Sequence, residues 1–196
     1  VTYTPSPSPL WKDLRVKPFV KWAGGKTQLL PTLSDAYPEE LGAFITKYAE
    51  PFVGGGAVLF DILSRYRLEK IYISDVNAEL INTYCVIRDE CEALISSLSV
   101  LKETYIPKSN EERKELFYEC RSRFNLIKKT GENKVELAAL FIFLNKTCFN
   151  GLYRVNRNGV FNVPIGSYKN PAIFDEENLR NLSMALKGVE IVCADY

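Results

Sequence analysis

Three features in the first half of the chain could do chemistry together. The segment AEPFVGGG sets Glu50 just ahead of Gly54, Gly55 and Gly56, and Asp75 closes KIYISD twenty residues beyond Gly55. Glycines at a strand-to-helix turn let the backbone bend tightly beside a ligand, because no Cβ stands in the way. An acid at the end of the next strand is well placed to accept both hydroxyls of a ribose. The combination suits nicotinamide nucleotides, flavins and S-adenosylmethionine alike, so it indicates an adenosine-bearing ligand without choosing among them. A second glycine pair, in KWAGGKT, lacks the glycine a phosphate loop needs five residues before its Gly-Lys-Thr, since that position is Val20.

Other chemistries are excluded by composition. The chain of 196 residues has no histidine, which removes the commonest general base and every Ser-His or Cys-His mechanism. Its five cysteines (Cys85, Cys91, Cys120, Cys148 and Cys193) are scattered without a CxxC pair, arguing against a disulfide framework and a zinc site, so no metal is expected. Lys and Arg number 25 against 24 Asp and Glu, yet from Cys148 to Pro171 the charged residues are Arg154, Arg157 and Lys169, with no acid. That stretch is a candidate electropositive loop.

The elements that must position these residues can be read from periodicity. Residues 1–17, with alternating proline and serine, read as a flexible arm. A short helix follows the Gly-Gly turn and ends near Pro38. A strand from Ile45 to Glu50, the glycine turn, a helix from near Gly56 and a strand over residues 70–75 make the first βαβ unit of a doubly wound sheet. NAELINTYCVIRDECEALISSL has helical spacing, as does the stretch from Glu111 to Thr147 with a break at KKTGENK. VELAALFIFLNK is apolar nearly all round and is expected to be buried. Asn158-Gly159, flanked by Val155 and Val160, is a hairpin signal. DEENLRNLSMALK reads as a closing helix and VEIVCADY as a strand. No run approaches a membrane span and no signal pattern opens the chain, so a cytoplasmic protein without membrane contact is expected.

In order, FVKWAGGK, AEPFVGGGAV, ISDVN, FLNKTCFNGLYRVNRNGVFNVPIG and the closing CADY resemble the Dam family of adenine-N6 DNA methyltransferases, from about Pro18 to Tyr196. The resemblance implies an S-adenosylmethionine-dependent enzyme that flips an adenine out of double-stranded DNA and methylates its exocyclic nitrogen. It implies that Trp22 and Lys26 belong to an N-terminal cofactor motif, with Lys26 near the methionine carboxylate. Glu50, Pro51, Phe52, Val53, Gly54, Gly55 and Gly56 match the main cofactor loop, and Asp75 the ribose-binding acid. Asp195 resembles the acid that accepts a hydrogen bond from the cofactor adenine, with Tyr196 beside it.

The same resemblance makes the segment from Asn145 to Pro171 a hairpin that reads GATC. Phe149 would wedge into the base stack, where an inserted ring restores stacking lost by flipping. Asn150 would meet the orphaned base, Arg154 a guanine edge, and Leu152 a thymine methyl, with Pro164 at a further contact position. Tyr168 and Lys169 would hold phosphates. Position 149 is Phe where Tyr is familiar, and Ser167 stands where some relatives have Arg.

The family's catalytic DPPY motif is not found, and the chain contains no Pro-Pro pair. We therefore expect a chain inactive alone, acting as a monomer or with a missing C-terminal half. The alternative is a catalytically silent DNA-binding module that keeps the hairpin. The expected architecture is α/β: a Rossmann-like methyltransferase fold with an incomplete sheet (residues 18–90 and 188–196) and a helical plus β-hairpin DNA-recognition subdomain (91–187).

Overall fold

A computed structural model describes residues 16–195. All of the expected arm except Val16 and Lys17 lies outside the described residues, as does Tyr196. After a 3₁₀ turn at Lys26–Leu29, α1 (Leu30–Asp35) carries Pro31 in its first turn, where the missing N–H has no helical partner to lose. β1 (Lys47–Pro51) starts later than the Ile45 expected from sequence. Ile45 is drawn into a tight loop instead: its N–H donates to the Glu40 carbonyl at 3.0 Å, and its own carbonyl accepts from Gly42 at 2.9 Å.

α2 (Ala57–Arg65) and β2 (Lys70–Asp75) complete the βαβ unit, and β3 (Glu190–Cys193) joins from the far end of the chain. The three strands are parallel in the order β1-β2-β3. Pro51 lies opposite Ser74 and Asp75 opposite Cys193, so the carboxyl ends of all three strands share one edge. In open parallel sheets that edge is where ligands bind.

The long helical stretch after β2 is two helices, α3 (Ala78–Asp89) and α4 (Cys91–Tyr105). Glu90 breaks it with φ −134° and ψ 36°, although neither Gly nor Pro marks the place. α3 is capped by Asn77, whose side chain accepts the Leu80 N–H at 2.8 Å. α5 (Asn110–Thr130) opens with a reciprocal Ser109–Glu112 capping box and closes on Gly131 at φ +73°. α6 (Lys134–Thr147) is buried without interruption from Ala138 to Asn145, as its composition demands, and packs against α3, α4 and α5. α7 (Glu176–Ala185) packs on α3 and α4. Tyr84, Leu94, Phe117, Phe124 and Phe143 are almost wholly buried around α6, each side chain worth about 1.5–3 kcal/mol of burial. No helix among the described residues is long and apolar enough to cross a membrane.

The chain does reverse at Asn158-Gly159, but its arms meet in two isolated antiparallel bridges, Val155 to Phe161 and Cys148 to Ile165, rather than a continuous ladder. A side chain supplies what the ladder would. Asn125 on α5 accepts the Phe161 N–H at 2.8 Å and donates to the Phe161 carbonyl at 3.1 Å. The same device recurs twice. Asn178 on α7 accepts from the Lys17 N–H and donates to its carbonyl, both at 3.0 Å. Asn145, near the end of α6, does so for Lys21 at 2.8 Å each way and also donates to the Gly151 carbonyl at 2.9 Å. A carboxamide carries one acceptor and one donor end, so it can pair with a peptide as a neighbouring strand would.

Asn145→Ala strips partners from three backbone groups at a site only 4% exposed. It is expected to lower the unfolding free energy by about 2–4 kcal/mol, and Asn125→Ala, which frees two groups at a less buried place, by about 1–2 kcal/mol. Urea unfolding of the two variants checks both size and order.

Candidate functional site

The carboxyl edge of the sheet opens into a cleft of about 690 Å³. That lies within the range of about 300–1,000 Å³ typical of small-ligand sites. Of the residues expected to hold a cofactor, Trp22, Lys26, Glu50, Phe52, Val53, Gly54, Gly55, Gly56 and Asp75 line it. Pro51 is exposed and Asp195 is exposed at the end of β3, and neither is part of the lining.

The glycine turn is built from both sides. Gly54 has φ +53° and donates its N–H to Asp75 Oδ2 at 3.0 Å. Its carbonyl accepts the buried Tyr84 hydroxyl at 2.9 Å. A Cβ on Gly54 would stand 2.8 Å from Trp22 Cδ1, and one on Gly56, at φ +76°, would collide with the Tyr84 hydroxyl. These glycines therefore make room for protein side chains, beyond the approach to a ligand that sequence alone suggests. Phe52, at φ +62° and about half exposed, stands on the rim in a conformation disfavoured for an aromatic residue.

The charges in the cleft have different surroundings. Asp75 is 8% exposed, and its second oxygen accepts the Asn77 N–H at 2.9 Å. Each carboxylate oxygen keeps capacity for a further donor. Glu50 accepts the Tyr48 hydroxyl at 2.8 Å. Burial raises its carboxyl above the usual carboxylate range, against the opposing pull of the Tyr48 hydrogen bond and the Lys26 charge. Lys26 itself is exposed at the mouth. Two acids, Glu50 and Asp75, and two lysines, Lys21 and Lys26, border the cleft, so a ligand carrying both cationic groups and a carboxylate would find a partner for each. A ribose diol is a donor suited to Asp75. Among the described residues, no group of three or more acid or cysteine side chains is placed to hold a metal ion.

The second cluster lies beside the first. Phe149 to Gly151 form a 3₁₀ turn that holds Phe149 about half exposed, with Asn150 at φ +54°. The turn is fixed by the Phe149 N–H, which donates to the Pro164 carbonyl at 2.9 Å. Leu152, Arg154, Pro164 and Lys169 are exposed on the same segment. Arg154 is exposed, and its Nε donates to Asn162 Oδ1 at 2.8 Å across the reversal. Tyr168 accepts a hydrogen bond from Lys21 Nζ at 3.1 Å, and the ammonium lies 4.5 Å from its ring centroid.

Three residues of this neighbourhood escaped the reading of the sequence. Lys21 adjoins Trp22 and gains meaning only through Tyr168, far along the chain. Lys146 is half-buried, and burial first, then the charges of Lys21 and Lys17, pull its pKa down to about 8. Tyr153 stacks on Trp22 with ring centroids 5.9 Å apart and an interplanar angle of 24°. No short-range pattern announces any of them, because each partner is remote in sequence.

Residues 22–196 match the family described as D12 class N6 adenine-specific DNA methyltransferase. The type II methyltransferase M.MjaIII of Methanocaldococcus jannaschii is 52% identical over 184 residues, 93% of this chain and 63% of the relative. The type II methyltransferase M1.LlaDCHI of Lactococcus lactis subsp. cremoris is 39% identical over 93% of this chain and 60% of its own length. A DNA adenine methylase of Vibrio cholerae is 34% identical over 91% of this chain and 57% of its own. The chain thus spans about three-fifths of the length of these relatives. With a match that takes in both the cleft and the exposed Phe149 turn, the chain belongs to the D12 class N6 adenine-specific DNA methyltransferase family.

Proposed function

We propose that the chain is the cofactor-binding and DNA-reading part of an enzyme that methylates adenine N6 in DNA, at GATC, from S-adenosylmethionine. The observation that carries this reading is the adjacency of the two clusters. One strip, residues 21–26, puts Trp22 and Lys26 into the cleft and Lys21 onto Tyr168 of the exposed segment. A group transfer between two bound substrates needs such adjacency. The names of the relatives, type II methyltransferases and a DNA adenine methylase, point to the same substrate.

When bound, S-adenosylmethionine supplies a methyl group on a sulfonium. Asp75 holds the ribose hydroxyls, Lys26 the carboxylate, and Glu50 faces the cationic groups. Phe149 fills the gap left by the flipped adenine, and Asn150 meets the base it leaves behind. Arg154 reads a guanine edge in the major groove, and Leu152 and Pro164 pack beside a thymine methyl. Tyr168, Lys169, Lys21 and Lys146 present positive charge or hydrogen bonds to phosphates. The residues that orient the target amino group, an Asp-Pro-Pro-Tyr in this family, are not among residues 1–196.

Residues 1–196 are accordingly expected to bind S-adenosylmethionine, to retain a GATC duplex in preference to a scrambled one, and to transfer no labelled methyl group. Calorimetry, fluorescence anisotropy and a tritium transfer assay measure the three properties. Equal retention of both duplexes overturns the GATC assignment, and transfer confined to GATC overturns the account of the missing motif.

Glu50 gives a pH dependence with a definite sign. Its raised pKa means that the folded protein takes up a proton above the ordinary carboxylate range. Protonation removes a negative charge facing a cationic ligand, so affinity for S-adenosylmethionine should fall as pH drops through that raised value. Glu50→Gln is expected to weaken binding at neutral pH roughly tenfold and to flatten the profile. Because the folded state binds this proton more tightly than the unfolded state, Glu50 lowers stability as pH rises through the same window. The glutamine variant should therefore melt at a higher temperature than the wild type at neutral pH when no ligand is present.

A further inference from the structure

Tyr153 sits between two exposed residues, Leu152 and Arg154, and its own side chain turns inward. There it enters an aromatic cluster, 5.6 Å from the ring centroids of both Phe141 and Phe161 and stacked on Trp22. Its hydroxyl donates to Glu79 Oε2 at 2.7 Å and accepts from Lys128 Nζ at 3.0 Å. Lys128 and Glu79 close the triangle with an ion pair of 3.0 Å. The three groups come from α3, α5 and the exposed segment, so the ring is held from both sides of the cluster.

Stability alone does not account for this arrangement. A largely buried ion pair is on average no better for stability than apolar side chains of the same volume, because desolvation offsets attraction. The triangle does fix the place of one ring, since the hydroxyl must satisfy an acceptor and a donor at once. Burial first, and then Glu79, push the Tyr153 hydroxyl above its ordinary pKa, so it keeps the proton it donates at neutral pH.

What the ring touches is Trp22, and Trp22 in turn packs against the glycine turn. The indole lies so close to Gly54 that a Cβ would be 2.8 Å away, and one on Gly55 would stand 3.2 Å from Trp22 Cβ. The path from solvent-facing Leu152 and Arg154 to the cofactor cleft is therefore Tyr153, Trp22, Gly54. Beside it, Asn145 binds the backbones of Lys21 and Gly151 with one carboxamide.

We infer that Tyr153, anchored by Glu79 and Lys128, is a positioning residue that couples the DNA-reading segment to the cofactor cleft through Trp22. The inference rests on the functional reading above. DNA that engages Leu152 and Arg154 fixes the backbone that carries Tyr153, the ring fixes Trp22, and the indole sets the turn that receives the cofactor. Linkage makes the effect reciprocal, so bound cofactor favours duplex by the same factor.

The test compares wild type, Tyr153→Phe, which keeps the stack but not the anchor, and Tyr153→Leu, which keeps apolar bulk but neither. All three are made with Trp11→Phe, so that Trp22 is the one indole reporter. S-adenosylmethionine affinity is measured with and without saturating GATC duplex. The duplex is expected to tighten cofactor binding about fivefold or more in the wild type, by a smaller factor in the phenylalanine variant, and by less than about twofold in the leucine variant. Trp22 emission should respond to duplex alone in the first two proteins and not in the third. A wild type that binds both ligands without coupling, or a leucine variant with the full wild-type factor, overturns the inference and leaves the functional reading standing. Should the leucine variant fail to fold, a phenylalanine variant with the full wild-type factor overturns it equally. A wild type that binds neither ligand overturns the functional reading, and the inference with it.

Discussion

The pairing of Asn145 with the backbone of Lys21 is the constraint on which both functional clusters depend. Residues 18–25 cross the mouth of the cleft outside the sheet, so their peptide groups have no strand to pair with. An unpaired peptide in such a place costs about 1–3 kcal/mol per group. The carboxamide of Asn145 removes that cost at Lys21, and it is carried by the buried run of α6 from Ala138 to Asn145. The third bond, to the Gly151 carbonyl, makes the Phe149 turn share the same anchor. Gly151 must be glycine for this to work: its φ is +65°, and a Cβ would run into the Lys21 side chain. One wall of the cleft and the exposed turn are thus located by a single side chain, and neither can shift without the other.

Charge is divided along the same strip. Glu50 and Asp75 line the cleft with Lys26 at its mouth, while Lys21, which also borders the cleft, faces Lys17 and Lys146 at the far end of the strip. A net charge of +1 over the whole chain conceals this division. The depressed pKa of Lys146 shows its cost, since burial and two neighbouring ammonium groups all oppose its charge. A polyanion placed against that side would relieve the repulsion, and much of the affinity gained would be lost again at high salt. The cleft is screened less, because its acids are partly or wholly removed from solvent.

The first βαβ unit was legible because its signals are local. KIYISD forms a strand over residues 70–75 as read, and the glycines fall where a strand must turn into a helix. The buried α6 was legible for the same reason, from an apolar run of helical length. The break at Glu90 was not, because no glycine or proline marks it and both helices go on to pack against α6 and α7. Asn158-Gly159 marked the reversal correctly but could not reveal that Asn125, more than thirty residues earlier, would replace the ladder. Lys21, Tyr153 and the Glu79–Lys128 pair draw their roles from partners 25 to 147 residues away, a separation at which periodicity carries no information.

The glycine turn shows how far a local motif can carry an argument. Read from the sequence, Gly54 to Gly56 suggest a ligand that approaches the backbone closely. In the fold, Trp22 and Tyr84 already occupy the space that Cβ atoms at Gly54 and Gly56 would need, so glycine would be required there even in a protein that bound nothing. The discriminating feature is Asp75. A structural acid could spend its carboxylate on Gly54 and Asn77 and be buried behind them, but this one also borders the cleft. Its two backbone bonds orient the group and leave acceptor capacity directed at open space, which an uncharged diol can use at little desolvation cost. The case for a nucleoside ligand therefore rests more on how that one carboxylate is held than on the glycines.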